Sequence, residues 1–230
     1  MKFADKTTTI AAAIAQIPDG ASVMIGGFGV PGTPFCLIDE LVRQGPKNLT
    51  IIKNDANEQG MGVDHLLENG QVATLISTHI GLNPRAVGLM NDGTLQVEFC
   101  PQGILAERIR AGGAGLHGFL TDIGLDTEMA EGKQRVEVNG QTCIVETALK
   151  ADFALLHADS ADPFGNLCYA ATARNFNPLM AMAAGQVIAE AEGIVAMGGI
   201  DPNHVHTPGA FVDHVVKLST LTKEYAVVRR

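Results

Sequence analysis

The chain has 230 residues, 46% of them hydrophobic and 18% charged, and a formal net charge of −9. That composition supplies an aliphatic core and excludes a nucleic-acid surface, which needs clustered positive charge. No apolar run of about 18 residues and no apolar segment ending in a cleavage site occurs, so neither a membrane span nor a signal peptide is expected and the reading is a cytoplasmic protein.

Residues 7–16 place Ile10, Ile14 and several alanines on one face and predict a first helix, closed by the turn residues Pro18, Asp19 and Gly20. Val23, Met24 and Ile25 make a short strand. It runs into a loop with glycines at 26, 27, 29 and 32 and prolines at 31 and 34. So many glycines directly after a strand suggest a backbone that turns tightly and offers its N–H groups to a ligand. Thr33 reads as a helix N-cap with Pro34 at the first helical position. The helix turns Leu37, Ile38, Leu41 and Val42 inward and stops before Gly45 and Pro46.

A second strand, 49–52, ends at Lys53, Asn54 and Asp55. A helix over 63–69, a strand over 72–77, a loop over 79–84 and a strand over 95–99 follow. Pro101, Gln102 and Gly103 open a helix over 104–110. Strand and helix alternate four times, which predicts a parallel sheet with crossover helices.

The second half begins with another glycine-rich segment, 112–118. Residues 135–138 and 142–145 flank Asn139-Gly140, a strong hairpin signal. Strands are expected at 153–156 and 187–191, with an apolar tail around 212–216. The expected architecture is one α/β domain over 1–230. It has an open, mostly parallel sheet with helices on both faces, a small antiparallel hairpin excursion at about 120–150 and a C-terminal extension at about 218–230.

Several residue sets invite chemistry. Cys36, Cys100, Cys143 and Cys168 are far apart and read as reduced core thiols. His204-x-His206 has only Asp201 and Asp213 nearby, short of a recognisable ligand set, so no metal is expected. Gly27-x-Gly29-x-x-Gly32 formally satisfies a dinucleotide fingerprint, with Asp55 after the next strand. All its glycines precede the helix, however, and prolines stiffen the loop, leaving an NAD-dependent oxidoreductase as a remote alternative. Glu68-Asn69-Gly70 offers a carboxylate nucleophile, but Asn-Gly suits the end of the preceding helix better.

Asp19-Gly20, Val23-Met24-Ile25, Gly26-Gly27-Phe28, Gly32 and Pro34 resemble, position for position, the signature of family I CoA-transferases. Asn54-Asp55, the run from Ser77 to Pro84, Pro101-Gln102-Gly103 and Glu107 to Gly115 resemble that family's alpha subunit. So do Gly165-Asn166-Leu167, Ala173 to Pro178 and Thr207-Pro208-Gly209. The resemblance covers about residues 8–217 and is closest to bacterial acetate and butyrate–acetoacetate CoA-transferase alpha subunits.

The resemblance implies transfer of CoA from a short-chain acyl-CoA (acetyl-, butyryl- or acetoacetyl-CoA) to a carboxylic acid by a ping-pong mechanism, with CoA as substrate and no other cofactor. It implies a beta subunit as partner, in an A2B2 heterotetramer. The nucleophilic glutamate lies in a Ser-Glu-Asn-Gly motif on that partner, so no catalytic residue is expected here; Glu68 lacks the preceding serine. By resemblance Gly26, Gly27, Phe28, Gly29, Val30, Pro31 and Gly32 bind CoA, and Asn54, Gln102 and Gly103 support the substrate at strand ends. Lys53, Arg108, Arg110 and Arg174 are candidates to offset the CoA phosphates or to form ion pairs. The alpha chain of a 3-oxoacid (succinyl-CoA) transferase is the alternative. His117, Asp122 and Asp126 depart from the family's usual glycine, proline and glycine, which bears on acyl preference or a subunit contact.

Overall fold

The computed structural model describes residues 4–225. Its main sheet joins β2 (Ser22–Ile25), β3 (Leu49–Ile52), β4 (Val72–Ser77) and β5 (Gln96–Phe99) on one side. On the other side lie β9 (Ala151–Ala161), β11 (Ala184–Ile194), β12 (His214–Lys217) and β1 (Thr7–Thr8). These eight run parallel in the order β1-β12-β11-β9-β2-β3-β4-β5, and β10 (Leu167–Cys168) pairs antiparallel with β9.

The inner strands β2 and β3 are apolar on both sides because both faces are covered, whereas the edge strand β5 is largely exposed. Val23, Ile25, Ile51 and Leu75 point into one core with α1 (Ile10–Ile14), α2 (Phe35–Gln44), α3 (Val63–Glu68) and α4 (Pro84–Asn91). Met24, Ile52 and Ile76, from the alternate positions, point into a second core with α5 (Gln102–Gly113) and α6 (Asn177–Ala183). The expected α/β sheet with helices on both faces is the observed one.

The hairpin excursion is a three-stranded antiparallel sheet of β6 (Gly118–Thr121), β7 (Arg135–Val138) and β8 (Gln141–Thr147). Asn139 and Gly140, at φ 52° and 78°, form its turn. Such a pair of positive φ values matches the twist of the strands it joins.

Some boundaries differ from expectation. The first helix is shorter because Thr7 and Thr8 pair with Val215 and Val216 as an edge strand, and Thr9 caps the helix through the Ala12 N–H. The helices α4 and α6 escape the apolar pattern. Asn83 and Pro84, read as a turn, are the N-cap and first residue of α4, the Asn83 Oδ1 accepting the Ala86 N–H at 3.0 Å. Of the four thiols, Cys100 is buried, whereas Cys36, Cys143 and Cys168 are half-exposed on α2, β8 and β10, which corrects the reading of all four as core residues. Three of them are not activated thiols: burial pushes Cys36 up to about 12 and raises Cys100 and Cys168 as well. Of the C-terminal extension, residues 218–225 continue past β12, and 226–230 lie outside the described residues.

Candidate active site

From β2 the chain winds outward through β3, β4 and β5, then returns to β9 beside β2 and winds outward the other way. The reversal leaves a crevice at the C-terminal ends of β2 and β9, where ligands bind in open parallel sheets. The glycine loop leaves β2 at that point.

The four glycines serve different purposes. A Cβ on Gly26 would sit 2.1 Å from Asn177 Oδ1; on Gly27, 2.2 Å from Thr33 Oγ1; on Gly32, 2.4 Å from the Ala173 carbonyl. These three let the loop pack against its own support. Gly29, at φ +59°, has nothing within 4 Å of its Cβ position, so the open side of the loop is here. Thr33 closes the loop rather than capping α2: its hydroxyl donates to the Gly29 carbonyl at 2.7 Å, and α2 starts at Phe35 with Pro34 before it and no side-chain cap. Proline has no side-chain acceptor to offer, so the local sequence cannot cap this helix.

The loop is held from both flanks. Asn177, fully buried, donates to the Gly32 carbonyl at 3.1 Å and to the Ala173 carbonyl at 2.8 Å, and Asn175 donates to the Pro31 carbonyl at 2.9 Å. The Ala173 to Pro178 segment is therefore the loop's rear support. On the other flank, Asp55 Oδ2 accepts the Gly29 N–H at 2.8 Å, and Asn57 Nδ2 donates to the Gly29 carbonyl at 2.9 Å. Among the described residues no acceptor lies on the N–H of Gly27, Val30 or Gly32. Unpaired peptide donors of this kind await water or a ligand.

Asp55 also binds the predicted site residues together. Its carboxylate faces the fully buried Lys53 ammonium at 3.2 Å and accepts the Asn54 side-chain amide at 2.9 Å and the Asn57 N–H at 2.9 Å. Burial alone would raise the Asp55 pKa; the Lys53 charge, the Asn54 amide and the two peptide donors outweigh it and bring it down to about 2. For Lys53, burial lowers the pKa against the opposing pull of Asp55. An aspartate committed to Lys53 and Gly29 cannot serve a ribose, and with all four glycines ahead of α2 the dinucleotide reading loses its geometry.

Asn54 is buried with both ends of its amide engaged, its Oδ1 accepting from Gln102 Nε2 at 2.7 Å. Its carbonyl accepts the Thr78 N–H at 3.0 Å and the Thr78 hydroxyl at 2.7 Å. Asn54 therefore orients Gln102, which is exposed in the first turn of α5 beside Gly103, its side-chain Oε1 taking no hydrogen bond among the described residues. Glycine loop, Asn54 and Gln102 thus form one connected group, while Gln102 and Gly103 lie on a helix start and not on a strand end.

Phe28, Val30, Met61, Ile80 and Leu82 form the large apolar part of the lining of a cavity of about 160 Å³ beside the open face of Gly29, with Asp55, Glu58 and His79 as its ionisable groups. The candidate cations are elsewhere engaged: Lys53 with Asp55, Arg108 with Glu98 at 2.6 Å and Arg110 with Glu107 at 2.8 Å. Arg174 is exposed on a turn next to the rear support. His117, Asp122 and Asp126 are exposed on and beside the small sheet and do not line this cavity.

The remaining candidates read from sequence are engaged with neighbouring residues. Glu68 ends α3 and pairs with Arg85 at 2.8 Å. His206 Nδ1 accepts the Tyr169 N–H at 2.9 Å, and His204 faces Asp201 at 3.2 Å. Sequence reasoning missed Asn57, Asn175 and Asn177 as loop supports; the density of Asn around Gly and Pro was the one signal for them. It also missed a buried group of His157, Glu190 and Tyr225 behind the loop, for which the sequence carried no local sign.

The coenzyme A transferase family model matches residues 7–218. The chain is 53% identical over 213 residues to the alpha subunit of a probable coenzyme A transferase of Bacillus subtilis, covering 92% of this chain and 93% of that one. It is 43% identical over 211 residues to the alpha subunit of the acetate CoA-transferase of Escherichia coli, covering 92% and 96%. It is also 46% identical over 200 residues to one subunit of a probable succinyl-CoA:3-ketoacid coenzyme A transferase of Bacillus subtilis, covering 87% and 84%. Among solved structures, the acyl-CoA transferase of Escherichia coli O157:H7 in its CoA thioester complex superposes with a TM-score of 0.85 at 23% identity. That match covers 96% of this chain and 48% of the other, so the present chain has the fold of about half of a longer polypeptide. The chain belongs to the coenzyme A transferase family, as an alpha subunit.

Proposed function

We propose that this subunit holds a CoA thioester against the loop of residues 26–32 while a beta subunit supplies the attacking glutamate. The observation that carries the proposal is the loop itself. It is clamped by Asp55 on one flank and Asn177 on the other, at the switch point of the sheet, with Gly29 open toward a cavity. Fixed peptide donors of this kind stabilise charge developing on a thioester oxygen or a departing thiolate without reorganising.

In the reaction so assembled, the partner's glutamate attacks the thioester carbonyl, the C–S bond breaks, and a mixed anhydride and CoA thiolate form. The thiolate then attacks the glutamyl carbonyl, releasing the first carboxylic acid as its carboxylate and leaving a glutamyl-CoA thioester. The second acid takes up CoA by the same steps in reverse. The energy of the thioester is conserved, and ping-pong kinetics follow. Asn54 orients Gln102, whose amide contacts the substrate without adding charge beside the anionic intermediates. Gly103, next to it, keeps that helix start bare for close approach.

The cavity lining favours the short monocarboxylic acyl groups, acetyl, butyryl or acetoacetyl. Its walls are apolar and, apart from His79, its ionisable side chains are the carboxylates Asp55 and Glu58. The second carboxylate of a succinyl group would meet the like charge of Glu58 there, the Asp55 charge being balanced by Lys53. We place the chain as a single alpha-subunit domain of a cytoplasmic A2B2 heterotetramer that uses no metal or further cofactor. The test is exchange from acetyl-CoA by the reconstituted pair. Transfer to butyrate or acetoacetate well ahead of succinate is expected; a preference for succinate would restore the succinyl-CoA alternative, and no transfer to any acid would refute the reading.

A further inference from the structure

The stretch after β12, residues 218–225, lies almost wholly beyond the span matched by the family model, yet it returns to the glycine loop. Its anchor is Tyr225, buried to 7% exposure. The Tyr225 hydroxyl accepts the Phe35 N–H at 3.1 Å and donates to the Thr33 carbonyl at 2.7 Å, with Glu190 Oε1 as a competing acceptor and His157 Nδ1 at 2.8 Å. The ring packs edge-on against Phe35, with centroids 4.9 Å apart. Glu190 completes the arrangement by accepting the Leu37 N–H at 2.8 Å.

Two facts make this more than a buried tyrosine. First, Pro34 gives α2 no side-chain cap, and the orphan donors of the first turn are satisfied by residues 190 and 153 positions away. A carboxylate at this helix end also complements the helix dipole. Second, Thr33 is the link between α2 and the loop, since its hydroxyl holds the Gly29 carbonyl at 2.7 Å. The chain of contacts Tyr225–Thr33–Gly29 therefore runs from the C-terminal stretch to the one glycine of the loop whose side faces open space. Burial and the Glu190 carboxylate push the phenol's pKa up, which keeps the hydroxyl a neutral donor.

We propose that Tyr225 is a positioning residue for the thioester loop, acting through Thr33 to fix Gly29 and its neighbours in the ligand-binding conformation. The inference rests on the reading of residues 26–32 as the thioester cradle. Without the hydroxyl, the Thr33 carbonyl and the Phe35 N–H keep only their mutual hydrogen bond at 3.0 Å; the loop loses its tie to the C-terminal stretch and must be ordered by the substrate, weakening binding in ground state and transition state alike.

The test is steady-state exchange by the assembled enzyme carrying Tyr225→Phe, with the acyl-CoA varied at saturating acid. A rise in KM for acyl-CoA of about tenfold, equivalent to about 1.4 kcal/mol, with kcat within about twofold, is expected. Thr33→Val, which breaks the next link, should give the same shift, and the double variant no more than either alone, because both cut one route. An unchanged KM with a lowered melting temperature would make Tyr225 merely structural and overturn the proposal. Should Tyr225→Phe fail to assemble, an unchanged KM in Thr33→Val overturns it equally. Amide exchange at Phe28, Gly29 and Thr33, whose N–H groups are bonded in the loop, separates this inference from the reading beneath it. Faster exchange in Tyr225→Phe supports the coupling even if the wild-type pair transfers no CoA, whereas unchanged exchange refutes the coupling even if it does.

Discussion

Replacing Asp55 with asparagine tests the centre of the site, because shape is kept while the charge that faces Lys53 is lost. Lys53 is fully buried, with Asp55 as its ion-pair partner at 3.2 Å. Removing one member of a buried pair costs about 3–5 kcal/mol, since the other charge is left in a poor dielectric. An independent limit comes from letting Lys53 discharge instead. A lysine with an ordinary pKa of about 10.4 costs about 1.36 kcal/mol per pH unit to neutralise, hence about 4 kcal/mol at pH 7.5 and about 2 kcal/mol at pH 9. The two routes agree near neutrality, and the second predicts that the penalty shrinks as pH rises. Urea unfolding of wild type and Asp55→Asn at both pH values reads this directly. Adding Lys53→Met should return most of the lost stability by removing the stranded charge. A loss below about 1 kcal/mol at pH 7.5, or one that does not diminish by pH 9, would refute the assignment of Asp55 as the counter-charge that anchors the loop.

Other predictions follow from the same contacts. Gly27→Val should destabilise the subunit by about 3 kcal/mol or more, because its Cβ would lie 2.2 Å from Thr33 Oγ1 at a φ of +98°; a normal unfolding midpoint would contradict the packing described. Gly29→Ala, with open space around it, should cost only about 1 kcal/mol yet raise KM for acyl-CoA several-fold, and normal kinetics would deny the open face a ligand. Asn54→Ala should lower exchange as much as Gln102→Ala, the double variant adding little, since one amide orients the other; fully additive losses would separate them. In acid, the Asp55 contribution is present above the unfolded carboxylate pKa near 4 and is lost as pH falls toward 2. With its pKa down at about 2, that amounts to about 2.5 kcal/mol. The Lys53→Met/Asp55→Asn variant should therefore show a flatter acid limb in urea midpoints between pH 5 and 2, and parallel limbs would argue against it.

Much of the fold was legible because apolar runs between turn residues declare buried parallel strands whatever packs on them. The same clarity did not extend to roles. Gly26, Gly27, Gly29 and Gly32 look alike in sequence, but Asn177, Thr33 and Ala173 crowd three of them and nothing crowds the fourth, a difference set by residues up to about 150 positions away. Asp55 was visible as a carboxylate after a strand, yet only burial against Lys53 shows that it clamps the loop rather than meeting a ribose. Thr33 before Pro34 has the letters of a helix cap. It closes the loop instead because Tyr225 and Glu190 take over the capping from the far end of the chain. Helix α4 was missed for a local reason, since Asn-Pro initiates turns and helices alike. The asparagines at 57, 175 and 177 carry no periodicity, and their work as loop supports depends on pairing across the crevice.

The central claim is that this chain supplies the thioester-binding half of a site and no nucleophile. Intact-mass analysis of the reconstituted pair, after incubation with acetyl-CoA and no acceptor acid, tests it most directly. The account predicts a CoA adduct on the partner chain with the mass of this chain unchanged. A CoA adduct on this chain, at Glu68 or any other carboxylate, would contradict it.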